Sequence, residues 1–174
     1  MRFAIPVFVI GAFVWSAFSQ DQIQINTPYV ATTLETLNAM LDFAGVTSRD
    51  NVYDLGCGDG RIVIAAAKKY GARGVGIDIN PALIERARGD AERSGVAERV
   101  NFQIGDLFEM DIRNATVVVL YLLPDVNMRL RPRLQHELKP GTRIVSHGFD
   151  MGDWKADKEM VVNGDHIYLW TVRG

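Results

Sequence analysis

The stretch richest in chemistry is Asp54-Leu55-Gly56-Cys57-Gly58-Asp59-Gly60-Arg61, a glycine-rich turn that leaves one apolar segment and opens a helical one. Glycines at alternate positions remove side chains, so a ligand can come close to the backbone. A dinucleotide fingerprint reads G-x-G-x-x-G, with its third glycine at position 61. Here Arg61 stands there and the glycine is at position 60, which argues against hydride transfer. Asp78 closes the next apolar segment, where a carboxylate can accept hydrogen bonds from both hydroxyls of a ribose. Gly105-Asp106 closes a third segment and offers another acid. A single aspartate at such a place is ordinarily a turn or cap residue. Three acids at consecutive strand ends around a G-x-G-x-G turn instead describe a binding site.

A ligand built from an amino acid, a ribose and an adenine would use all three acids. Asp54 would lie near the ammonium, Asp78 on the ribose and Asp106 on the exocyclic amine. S-adenosyl-L-methionine has these parts.

The elements that must position these residues follow from periodicity. Residues 51–55 read as a buried strand, 61–69 as a helix and 74–78 as a second strand. Asn80-Pro81 places an N-cap and a first-turn proline ahead of a helix running to about Ser94. Residues 100–104 and 116–122 supply strands three and four, 126–138 a helix interrupted or restarted at Pro132, and 143–146 strand five. The apolar runs 160–162 and 166–170 flank Asn163-Gly164-Asp165, a strong hairpin signal. Upstream, Thr32-Thr33-Leu34-Glu35 fits a capping box with Thr32 as N-cap, and the helix over about 33–44 carries Leu34, Leu37, Leu41 and Ala44 on one face. Strand–helix alternation implies an α/β fold with a mostly parallel sheet, closed by an antiparallel C-terminal hairpin.

Composition agrees with one such domain. With 48% apolar residues, 174 residues suffice for one core and not for two. A formal charge of −2 supplies no field for binding nucleic acid, and the lone Cys57 excludes a disulfide framework or a zinc cluster. Cys57, inside the turn with no paired base, reads as a small packing residue.

On these motifs the chain resembles the class I S-adenosylmethionine-dependent methyltransferases, from residue 52 to the C-terminus, which implies a Rossmann-like sheet. Within them it is similar to the mitochondrial protein-lysine methyltransferases of the adenine nucleotide translocase and the ATP synthase c-subunit, and to their bacterial relatives. The resemblance rests on Thr27-Pro28-Tyr29-Val30-Ala31-Thr32-Thr33, on Asp54 to Gly60 with the following Arg61-Ile62-Val63-Ile64-Ala65-Ala66-Ala67-Lys68-Lys69, on Gly76-Ile77-Asp78-Ile79-Asn80-Pro81, on Gly105-Asp106-Leu107 and on Trp154. It implies that Asp54, Gly56, Gly58, Asp78, Asp106 and Leu107 hold S-adenosyl-L-methionine, and that residues 29–33 cover it as a lid. It also implies a lysine side chain of a protein as methyl acceptor. A small-molecule acceptor, or an exported nucleoside-binding module without catalysis, stands as the alternative. After strand four the chain reads Leu120-Tyr121-Leu122-Leu123-Pro124, without the Asn or Asp, Pro-Pro and aromatic of base-methylating enzymes, so nucleic acid is not expected as a partner.

Methyl transfer from a sulfonium is an in-line displacement that asks chiefly for alignment and exclusion of water. A lysine ammonium, with a pKa near 10.4, must first lose its proton. His147, just after strand five, is the candidate base. Tyr121, at the end of strand four, is proposed by position as a wall or hydrogen-bond partner for the nucleophile; a buried structural tyrosine is the alternative. His136 and His166 read as structural. Asp150, Asp153 and Trp154 are expected on a loop bordering the substrate channel, with Trp154 suited to an aliphatic lysine stem.

Residues 1–20 contain Arg2 and no other charged side chain, and residues 3–18 are apolar almost throughout. Sixteen helical residues span about 24 Å against about 30 Å for a bilayer core, which suits a signal peptide or a short anchor. The expected organisation is a hydrophobic segment over 1–20, a linker over 21–31 and the methyltransferase domain over 32–174. The expected location is membrane-associated through residues 3–18, or exported after signal cleavage. Arg2 and the free amine precede the apolar run and no basic residue follows until Arg49, which would send the domain away from the compartment that makes its cofactor.

Overall fold

Alternating apolar runs and capped helices become, in chain order, α1 (Leu34–Phe43), β1 (Asn51–Leu55), α2 (Arg61–Tyr70), β2 (Arg73–Asp78), α3 (Pro81–Arg93), β3 (Val100–Ile104), β4 (Val117–Leu120), α4 (Pro124–Glu137), β5 (Arg143–His147), β6 (Lys158–Val162) and β7 (Asp165–Thr171). The computed structural model describes residues 31–174. The hydrophobic segment over 1–20 and the linker up to residue 30, including Tyr29 and Val30 of the expected lid, lie outside the described residues.

The strands form one sheet in the order β3-β2-β1-β4-β5-β7-β6. The first five are parallel, and β7 inserts antiparallel between β5 and β6. The order reverses between β1 and β4, so the loops leaving these strands diverge and open a crevice at their carboxyl ends. β4 is buried at all four positions, as a central parallel strand covered on both faces must be. Its side chains alternate: Val117 and Val119 join Leu37, Met40 and Leu41 of α1, while Val118 and Leu120 join Leu130 and Leu134 of α4 and Trp170 of β7. Each such Leu contributes about 1.5–3 kcal/mol by burial.

Several local expectations shift for identifiable reasons. The N-cap of α1 is Thr33, whose Oγ1 accepts from the Thr36 amide at 3.2 Å, because Thr32 Oγ1 is engaged with His147 Nδ1 at 3.4 Å. Leu34 is therefore the first helical residue and stays exposed, and the buried stripe is Leu37, Met40, Leu41 and Ala44. β4 ends at Leu120, not 122, because Pro124 takes the first position of α4, which starts two residues earlier than expected. That helix runs unbroken through Pro132. The proline lies on the exposed face, where water can serve the carbonyl freed one turn earlier, while Asn127, Leu130 and Leu134 face the core. The hairpin is as expected, with Asn163 and Gly164 at φ of 56° and 89° joining β6 to β7 in a two-residue turn.

The expected membrane-associated location is overturned. Among the described residues no helix is long and apolar enough to cross a membrane, and residues 3–18, on which that expectation rested, are not among them.

Candidate functional site

The crevice is built from the ends of five strands. At the end of β1 the chain turns so that the amides of Gly56 and Cys57 donate to the Ile77 carbonyl of β2, at 2.8 and 2.9 Å. Gly56 has φ of 83°, and a Cβ there would stand 2.7 Å from Leu122 Cδ2, so the exit of β4 leans directly over the turn. Gly60 caps α2 at φ of 75°, and a Cβ there would meet the Phe102 ring at 2.5 Å.

Asp78, at the end of β2, accepts from the Gly58 amide through Oδ2 and from the Asn80 amide through Oδ1, each at 2.9 Å. These bonds tie the glycine turn to the start of α3 and hold the carboxylate at the crevice. Asp106, exposed after β3, accepts from the Phe108 amide at 2.8 Å, a turn that fixes Leu107 beside it. Arg133 of α4 donates to the carbonyls of Leu107 and Met110 at 2.9 and 2.8 Å and anchors that loop from below.

Asp54 is different in kind. It is fully buried, and its Oδ2 has no hydrogen-bond partner among the described residues. Burial, with the Asp78 and Asp59 carboxylates nearby, pushes its pKa up to about 8. Asp59 is itself buried and paired with Arg61 at 2.7 Å and Arg86 at 3.7 Å. An orphaned buried acceptor beside a turn stripped of side chains fits a ligand that brings a cationic donor. The ammonium of S-adenosyl-L-methionine is such a group. Cys57, buried and with its thiol pKa pushed up by burial, has the packing role expected of it.

Tyr121 and His147, the two candidate catalytic residues, are brought together. Their rings stack with centroids 3.9 Å apart. His147 is the last residue of β5 and not the first of the loop, and only 3% of it is exposed. Both ring nitrogens are engaged, Nδ1 with Thr32 and Nε2 with Asp165 Oδ2 at 3.1 Å. Thr32 is held in turn by Arg61, whose Nη1 donates to its carbonyl at 3.0 Å.

His136 and His166 lie on exposed faces, His166 paired with Glu159 across the hairpin. Trp154, expected along the substrate channel, instead packs on Trp170, centroids 5.9 Å apart, and accepts its indole N–H through a main-chain carbonyl at 2.8 Å. Trp170 pairs with Ile144 near the start of β5, so Trp154 lies toward the strands' entry end. A hollow of about 390 Å³ lined by Trp154, Thr171 and Val172 is at that end too, away from the crevice. Asp153 pairs with Arg131 of α4.

Sequence reasoning gave Leu122 and Asp165 no role, and gave Thr32 only a place in a capping box and in the covering segment 29–33. Leu122 and Thr32 are ordinary residue types until folded. The hairpin turn sets Asp165 against Val162 of β6, but only the pairing of β7 with β5, which sets Ile167 against His147, brings Asp165 near that histidine.

Residues 54–158 match the ANTKMT methyltransferase domain family. The chain is 44% identical over 152 residues to a protein-lysine N-methyltransferase of Saccharolobus islandicus, covering 84% of this chain and 94% of the relative. It is 37% identical to the ATP synthase c-subunit lysine N-methyltransferase of Xenopus laevis, spanning 83% of this chain and 63% of that protein. Among solved structures it is similar to an RNA methyltransferase from Salinibacter ruber in complex with S-adenosyl-L-homocysteine, at 54% identity and a TM-score of 0.82 over 83% of this chain and 94% of that one. With its 3-2-1-4-5-7-6 sheet and its glycine turn beside the orphaned Asp54, the chain belongs to the ANTKMT methyltransferase domain family, within the S-adenosylmethionine-dependent methyltransferases.

Proposed function

We propose that this chain transfers a methyl group from S-adenosyl-L-methionine to the side-chain amine of a lysine in a protein. The observation that carries the acceptor class is the 44% identity to a protein-lysine N-methyltransferase across 94% of that relative's length. The bound cofactor supplies an activated methyl on a sulfonium. Asp54, Gly56, Gly58, Asp78, Asp106 and Leu107 bind and orient it: Asp54 takes the ammonium, Asp78 the ribose hydroxyls, and Asp106 with Leu107 the adenine. Leu122 closes over the turn and excludes water. Tyr121 forms the wall beside the incoming nitrogen, and His147 stands behind it.

A second acceptor class, RNA, is favoured by one observation, the name of the Salinibacter ruber relative. Against it stand the Leu120-Tyr121-Leu122-Leu123-Pro124 exit of β4 and a formal charge of −2. The test is to incubate the full chain with methyl-labelled S-adenosyl-L-methionine and a heat-treated cell extract of its source. The extract is then divided between protease and ribonuclease, and hydrolysed protein is analysed for methylated lysine. Label in methyl-lysine is the expected result. Label released by ribonuclease, with none in lysine, would overturn the acceptor assignment.

A further inference from the structure

We propose that Thr32, His147 and Asp165 form a proton-accepting line that takes the proton from the substrate amine before methyl transfer. This rests on the lysine reading above and adds to it the partner that makes His147 a base and the group through which it reaches the site.

The line joins three elements far apart in sequence. Thr32 precedes α1, His147 ends β5 and Asp165 opens β7. Thr32 and His147 are buried, at 4% and 3% exposure, whereas the Asp165 side chain is 52% exposed. The inner end lies beside the glycine turn, where Arg61, the residue after that turn, donates to the Thr32 carbonyl. The outer end reaches water.

The Asp165 carboxylate, with Oδ2 3.1 Å from Nε2, favours the imidazole proton on that nitrogen by its charge, which leaves Nδ1 as an acceptor for the Thr32 hydroxyl. The groups that face the ring are then Asp165 from β7, Tyr121 stacked on it from the exit of β4, and Thr32 with the Arg61 guanidinium behind it. One N–H bond of the lysine ammonium breaks as its proton passes to Thr32 Oγ1, whose own proton forms a bond to His147 Nδ1. The positive charge has moved from lysine to imidazolium, where the Asp165 carboxylate balances it and the Tyr121 face favours it. The neutral amine then takes the methyl group, and the imidazolium gives its proton to water once the product has left.

The test uses the full chain and two readouts. The first is the 15N shift pattern of the three histidines, which needs no acceptor. His147 is expected as the Nε2–H tautomer in the native chain and to lose that preference in Asp165→Asn. An Nδ1–H tautomer in the native chain would overturn the proposal. The second is the rate of lysine labelling in the extract assay as a function of pH. Asp165→Asn and Thr32→Val are expected to lower kcat about 10- to 100-fold near neutral pH, on the scale of general-base catalysis. The loss should narrow as pH approaches the range of free lysine, with the KM for S-adenosyl-L-methionine within about twofold of native. Thr32→Ser should keep most of the rate, and His147→Ala should regain part of it with added imidazole. A merely structural role would lower the rate equally at every pH and show no rescue, which would overturn the proposal. A native chain that labels no lysine overturns the lysine reading, and this proposal with it; normal native labelling with parallel pH profiles overturns this proposal alone.

Discussion

The carboxylates of Asp54 and Asp78 close adjacent strands and are satisfied in opposite ways. Both oxygens of Asp78 accept main-chain N–H groups, whereas Oδ2 of the fully buried Asp54 has no donor among the described residues. The free protein therefore carries a cost at Asp54 that a cationic ligand would relieve. Between its ordinary value of 3.8 and about 8, folded Asp54 holds a proton that the unfolded chain has lost, so its contribution to stability falls as pH rises through that window. Asp54→Asn removes the penalty. At pH 7 the variant without ligand is expected to be more stable, on the order of 4 kcal/mol by linkage, and to bind S-adenosyl-L-methionine at least tenfold more weakly. Denaturant unfolding and calorimetry measure the two effects, and a variant that is destabilised with native affinity would refute the assignment.

The same proton makes cofactor binding depend on pH. Below about pH 8 Asp54 is protonated in the free protein, and an ammonium placed against it favours the ionised form. Binding should release close to one proton at pH 6–7, so affinity rises with pH and levels off above about 8. Calorimetry in buffers of different ionisation enthalpy counts the released protons directly. A count of zero at pH 6.5 would show that Asp54 does not meet the cation.

Asp78 tests the other half of the cradle. Asp78→Ala removes the expected ribose acceptor and the two bonds that tie the glycine turn to α3. Affinity should fall by roughly 1.5–3 kcal/mol, the scale of a hydrogen bond to a charged group, or about 10- to 150-fold. Unchanged binding of S-adenosyl-L-homocysteine would sink the ribose assignment.

What the sequence revealed, and what it concealed, divides by range. β1 and β3 were legible to the residue, and Asn80 and the Asn163-Gly164 turn announced themselves, because strand burial, caps and tight turns are set by neighbours a few residues away. The placement of the three acids at successive strand ends was legible because glycine spacing and apolar runs mark those ends. Competition across the fold was not. Thr32 fits the capping box as well as Thr33 does until His147, 115 residues on, takes its hydroxyl. Pro132 reads as a break until its exposed face is known, and Trp154 as a channel residue until Trp170 claims its carbonyl.

Gly56 is where sequence and site meet most tightly. Gly56→Ala places a methyl 2.7 Å from Leu122 Cδ2 at a φ of 83°, so it incurs both a clash and a backbone penalty. A loss of about 2–3 kcal/mol in stability is expected, with weakened cofactor binding. Gly56→Ala combined with Leu122→Ala should recover the clash and leave about 1 kcal/mol of left-handed strain. If the double variant were no better than the product of the two single ones, the close approach of Leu122 to the turn would be disproved.

Asp50, at the opposite end of β1 from the glycine turn, should separate stability from binding. Its Oδ2 accepts from the Thr47 amide and hydroxyl at 2.7 and 3.0 Å, and its Oδ1 accepts from Thr116 at 2.8 Å and from Arg143. Burial alone would raise its pKa, but the hydrogen bonds from Thr116 and Thr47 and the charge of Arg143 outweigh burial and hold it below the usual carboxylate value. A depressed value means that its contribution is complete above about pH 4 and fades as pH falls through the folded-state value. Asp50→Ala removes the charge partner of the largely buried Arg143, which keeps only its bonds to the Ala44 and Gly45 carbonyls, and should cost about 2–4 kcal/mol. It should also flatten the acid limb of the stability curve below pH 4. Affinity for S-adenosyl-L-methionine should stay within twofold of native, because β1 separates the two carboxylates and the glycine turn keeps its own bonds. Denaturant titrations at pH 3 and pH 7, paired with calorimetry at pH 7, decide it: a cost that is the same at both pH values would remove the charged pair from the account.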